Sequence, residues 1–129
     1  PDKGCIVRET YVPLIREQAR IFGVQDNSFF CDLGTPERYL SANMNIVTGQ
    51  KKIHGYHANE TGVFLGRNVR LGKHCNIKHG TVLCDNSIIE DFVSLENTVV
   101  MENAVVKKDL NFAIVTPEHV LQIDEQQIQ

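Results

Sequence analysis

The sequence predicts a mainly β protein, a short parallel β-helix of six-residue repeats preceded by a small α/β segment. Three observations carry this. A six-residue phase runs from Leu65 to Val106, residues 5–49 mix helical and strand patterns, and the composition is that of a folded chain. The 129 residues are 42% hydrophobic and 22% charged, which argues against wholesale disorder. The length suits one domain or two small ones, and the change of texture divides it into 1–50 and 51–129.

The first part reads element by element. Thr10 is placed to cap a helix running to about Arg20, with Pro13 tolerable in its first turn. Ile21–Val24 and Ser28–Cys31 read as short strands around the turn-forming Gln25-Asp26-Asn27. Gly34-Thr35-Pro36-Glu37 then opens a second helix. Thr35 is the N-cap, Pro36 fits the first position, and Glu37 complements the helix dipole. Leu40, Met44 and Val47 line one stripe of that helix, and Gly49 ends it.

The second part aligns as LGRNVR, LGKHCN, IKHGTV, LCDNSI, IEDFVS, LENTVV, MENAVV. Leu65, Leu71, Ile77, Leu83, Ile89, Leu95 and Met101 hold the first position. Val69, Cys75, Thr81, Ser87, Val93, Val99 and Val105 hold the fifth. A strict six-residue phase means one short strand and one corner per hexad, with three hexads closing a coil. The aliphatic residues then point inward and stack at the ordinary strand spacing of about 4.8 Å. The pattern resembles the hexapeptide-repeat family, and that resemblance implies a left-handed parallel β-helix. Seven hexads give just over two coils, few enough to expect support from a cap, the N-terminal part or a second subunit. Ile88, Phe92 and Val100 have no inward assignment in this register, so they are the expected subunit contact of a homo-oligomer. Downstream, Val120, Leu121 and Ile123 are expected to pack on the last coil as a short helix or cap strand.

Charge and cysteine usage exclude several classes. Asp and Glu total 16 against 13 Lys and Arg, a net charge of -3, which argues against a partner bound by phosphate neutralisation, and so against nucleic acid. No apolar run approaches a membrane span, and no secretory signal opens the chain. Cys5, Cys31, Cys75 and Cys84 show neither a CxxC pair nor metal-ligand spacing, so a reduced, cytoplasmic setting is expected. The absence of an initiator Met suggests that the chain begins inside a longer reading frame.

The string Phe29-Phe30-Cys31-Asp32-Leu33-Gly34-Thr35-Pro36-Glu37-Arg38-Tyr39-Leu40 resembles the aromatic-x-D-x-G-T-P-E-x-Y-L segment of the sugar nucleotidyltransferases. These NDP-sugar pyrophosphorylases join a sugar 1-phosphate to a nucleoside triphosphate, and many follow this segment with hexapeptide repeats. Tyr11-Val12-Pro13-Leu14-Ile15 is similar to the family's preceding helix, so the resemblance covers about residues 5–108. It implies that Asp32 is a Mg²⁺ ligand in a complete enzyme, where metal charge offsets charge gathering on the triphosphate. From the residues alone, Asp32 reads instead as the cap of the Gly34-Thr35 turn. The family's Gly-rich nucleotide loop, second metal Asp and sugar-phosphate Lys have no counterpart in these residues, and Val7-Arg8 stand where relatives often have Leu-Glu. The chain is therefore expected to be the C-terminal part of such an enzyme. The repeats would serve assembly or regulation, and this stretch alone would hold no cofactor and no catalysis.

The repeats suggest a second reading. Many hexapeptide-repeat proteins are acyltransferases that use a His base and acetyl-CoA, and His74 and His79 lie within the hexads. Imidazole titrates near neutrality, which suits a general base. Both residues hold outward positions, where a solvated His is unremarkable, and no long loop interrupts the hexads to complete a site.

Overall fold

The structure, a computed structural model, describes residues 4–128. From Val63 onward the chain winds into a parallel β-solenoid of about three turns. The first turn carries β1 (Val63–Leu65), β2 (Arg70–Leu71) and β3 (Asn76–Ile77). The second carries β4 (Thr81–Leu83), β5 (Ile88–Ile89) and the start of β6 (Ser94–Val100). The rest of β6, β7 (Val105–Val106) and β8 (Leu110–Val115) make the third. Each strand pairs in parallel with its counterpart one turn on, as β1 does with β4. β9 (Val120–Gln122) then folds back antiparallel on β8, the strand alternative for the tail, with Ile123 buried but Val120 and Leu121 left exposed. Continuation of the stack through β8 makes the solenoid longer than the seven hexads implied.

The hexad positions have distinct physical jobs. In the second turn the first-position residues Leu83, Ile89 and Leu95 are buried, and the small fifth-position residues Thr81, Ser87 and Val93 are buried beside them. The corner itself falls three residues after the inward aliphatic residue, which is the fourth hexad position as far as Phe92. Asn68, His74, Asn86, Phe92 and Asn103 all have φ between +56° and +65°, and Gly80 has φ +77°. Asn and Gly tolerate this left-handed conformation, whereas His74 and Phe92 adopt it at a cost of about 1–2 kcal/mol each.

The six-residue phase shortens along the solenoid. Pairing is offset by 18 residues in the first turn (Val63 with Thr81), by 17 in the next (Leu83 with Val100), and by 15 at the end (Val100 with Val115). A corner that arrives one residue early accounts for the first step, from 18 to 17, and the further shortening lies between Val106 and the start of β8. Asn97, at φ +46°, follows Leu95 by two residues, whereas the earlier corners follow their aliphatic residue by three. The inward column therefore continues through Val100 and Val106, with Thr98 and Ala104 as the small residues behind them. Met101 and Val99 move to the outside. The assignment of Val100 to an outer subunit contact is thus corrected, because its side chain is fully buried in the solenoid core. Ile88 is half-buried, and Phe92 is exposed with its ring stacked on His74.

α2 (Pro36–Val47) forms as its sequence dictates. The Thr35 hydroxyl accepts from the Arg38 N–H, and Pro36 sits in the first turn. Its stripe, with Leu40 and Val47 buried and Met44 beside them, packs on the outside of the solenoid against Val82, Val99 and Ile114. Ile123 completes this second core. Upstream, the structure departs from expectation. In place of one helix to Arg20, a π-helical segment (Ile6–Tyr11) leads into α1 (Val12–Arg16), and neither buries a residue. The segments 21–24 and 28–31 form no strands. A strand needs a neighbour to take its hydrogen bonds, and none lies beside them among the described residues.

Candidate functional site

Asp32 lies just before the capped start of α2, where the sequence placed it. One carboxylate oxygen accepts from the Gly34 N–H at 3.1 Å, and the other faces Arg38 Nη1 at 3.3 Å. The carboxylate thus holds the turn that launches α2. Thr35 also hydrogen bonds the Glu37 carboxylate through its hydroxyl, which holds Glu37 below the usual carboxylate range. An open cleft of about 580 Å³ lies against this turn, lined by Cys31, Thr35, Glu37, Arg38, Ser41 and the tail residues Gln126 and Gln127. The tail reaches α2 because β9 carries the chain back across the solenoid, and Ile123 anchors it in the outer core.

The donor set does not by itself fit a Mg²⁺ ion. A hard cation needs several oxygen ligands, and Asp32 offers one carboxylate with a guanidinium against its second oxygen. The described residues hold no group of three or more His, Cys, Asp or Glu side chains placed for a metal.

The two histidines of the second reading sit on different parts of the surface. The His74 ring stacks on Phe92 at 5.2 Å between centroids. The His79 ring lies against Gly62, where any added Cβ would sit 2.5 Å from it, and lines a groove with Met44, Asn97 and Ile128. No ion pair is recorded for either histidine among the described residues, so neither is oriented by a carboxylate as a general base usually is.

Cys75 and Cys84 pack against the two cores, whereas Cys5 is exposed and Cys31 lines the cleft. Cys84 and Tyr39 meet in the outer core, where burial pushes both groups above their usual pKa and Glu102 and Asp85 add to the effect at the thiol. A thiol held protonated is a poor nucleophile. Asn59 organises the entry to β1, accepting from the Val63 N–H and from the Thr61 hydroxyl. Sequence reasoning missed the corner role of the fourth hexad position, although Asn68 and Asn86 at that position were its signal. No helix among the described residues is long and apolar enough to cross a membrane. No family model, no curated protein and no solved structure matches this chain.

Proposed function

We propose that this chain is the C-terminal part of a sugar-1-phosphate nucleotidyltransferase that makes NDP-sugars, with the solenoid serving assembly or regulation. One observation carries the reading beyond the motif. Upstream of α2 the chain is apolar yet uncovered, with Phe22 at 85%, Val24 at 94% and Phe30 at 87% exposure. Single exposed apolar residues are ordinary, but a run of them is the surface that a larger α/β domain buries. The Asp32 turn sits at the junction, fixed to the solenoid through α2 and ready to present its carboxylate to such a domain. Mg²⁺, the nucleoside triphosphate and the sugar 1-phosphate belong to that complete enzyme.

Two assays on the 129-residue protein test this. Nucleotide, sugar 1-phosphate and Mg²⁺ together are expected to release no pyrophosphate, because the donor loop is not among these residues. Robust Mg²⁺-dependent release would overturn the reading. Calorimetric titration with acetyl-CoA is expected to give no heat, and a micromolar site lost in His74→Ala or His79→Ala would replace the reading with acyl transfer.

A further inference from the structure

The two ends of the solenoid are built differently. At the far end, β9 closes on β8, Ala113 and Val115 are buried, and Ile123 is tucked into the outer core. At the near end no further turn lies over the first among the described residues. Leu65 and Leu71 hold the inward position, yet they are 54% and 48% exposed, whereas Leu83 and Ile89, one turn on, are 0% and 1% exposed. Ile77 beside them is half-buried. The backbone is open as well. The N–H groups of Gly66, Arg70, Gly72, Asn76 and Lys78 all bond to carbonyls of the second turn, and β1, β2 and β3 pair on that edge alone.

Charge identifies what the end accepts. Residues 63–80 carry Arg67, Arg70, Lys73 and Lys78 with no Asp or Glu. Residues 81–97 carry Asp85, Glu90, Asp91 and Glu96 with no Lys or Arg. The two turns hold each other by this opposition. Arg67 pairs with Asp85 at 2.7 Å and Lys78 with Glu96 at 3.3 Å, while Asp85 and Asp91 also accept from the Arg67 and Lys73 N–H groups. No ion pair is recorded for Arg70 or Lys73 among the described residues, and both are exposed. Glu60 is the only carboxylate from residue 51 to residue 80. A second copy meeting this end with its own would set one cationic rim on another within a Debye length of about 8 Å. Like charges so placed oppose the contact.

We propose that the open end of the solenoid docks an acidic, strand-forming polypeptide segment. The segment adds extended backbone beneath β1, β2 and β3, covers Leu65, Leu71 and Ile77 with aliphatic side chains, and sets carboxylates against Arg70 and Lys73. This is strand addition to an exposed sheet edge, with charge providing selectivity.

The second turn supplies a probe of matching chemistry, a synthetic peptide of residues 81–97 with Cys84→Ser. The control is the same peptide with its four carboxylates replaced by amides. NMR titration of the labelled protein is expected to shift the Leu65, Leu71 and Ile77 methyl signals with the acidic peptide. The amide peptide should bind at least about tenfold more weakly, and added salt should weaken the acidic one. Arg70→Ala with Lys73→Ala should reduce binding while leaving the unliganded spectrum folded, and Leu71→Lys should abolish it. Several results overturn the proposal: no shift at millimolar peptide, equal binding of both peptides, or shifts at Val100 from invasion of the third turn. So does self-association of the unliganded protein that Leu71→Lys removes, which would make the occupant a second copy.

Discussion

Leu65 and Leu83 hold the same hexad position one turn apart, and truncating each measures what a neighbouring turn contributes. Leu83 is fully buried between the first and third turns. Leu83→Ala removes three carbons from that interior, a transfer loss of about 2.4 kcal/mol at about 0.8 kcal/mol per carbon. The rigid strands on either side leave an enclosed void, which brings the expected cost to about 2–5 kcal/mol. Leu65 lies 54% exposed at the open end. Roughly half the transfer loss applies there and no closed void forms, so Leu65→Ala should cost about 1 kcal/mol. Urea unfolding followed by far-UV circular dichroism suits a chain without Trp. The two variants should differ by at least about 1 kcal/mol. Equal losses, or a larger loss at Leu65, would refute the assignment of open end and interior.

Gly72→Ala should destabilise by about 1–3 kcal/mol, because the new Cβ would lie 2.5 Å from the Asp91 backbone nitrogen; a neutral effect in urea would contradict the stacking of these turns. Thr81→Val replaces a buried hydroxyl that has no hydrogen-bond partner, so the variant should be as stable as the parent or more stable by about 1 kcal/mol; thermal melts read this directly. Asp85 is held below the usual carboxylate range by the Arg67 N–H first and then by the Arg67 side chain. A depressed native pKa contributes stability above the unfolded value of about 4, and that contribution is lost as pH falls through the native value. Asp85→Asn should therefore flatten this part of an acid-unfolding profile, and an unchanged profile would remove the carboxylate from the account.

The solenoid was legible because its rule is local: an aliphatic residue every sixth position reports the inward face whatever packs outside. The break at Asn97 was not, since LENTVV satisfies the hexad pattern as well as LCDNSI does. Only the early corner, set by backbone conformation, moves Val100 inward and Met101 outward. Val82, Val99 and Ile114 form a covered outer face under α2, which the hexad register, with Val99 in its fifth position, did not show. At the candidate site, Thr35-Pro36 fixed the start of α2, and the turn-capping reading of Asp32 agrees with its bond to Gly34. The expected strands at 21–24 and 28–31 failed for want of partners. Apolar alternation makes a strand possible, and only a neighbouring edge makes it form.

The proposal that this chain belongs to a sugar nucleotidyltransferase is tested most directly by reading the coding sequence on the 5′ side of the Pro1 codon. That sequence is expected to encode the Gly-rich nucleotide loop, and the product of the whole frame is expected to release pyrophosphate from a nucleoside triphosphate and a sugar 1-phosphate. Asp32→Asn in that product keeps the bond from Gly34 and removes the charge. It should lower turnover by roughly a hundredfold or more while the melting temperature stays close to that of the parent. An upstream frame without the loop, or an Asp32→Asn enzyme with full turnover, would contradict the account.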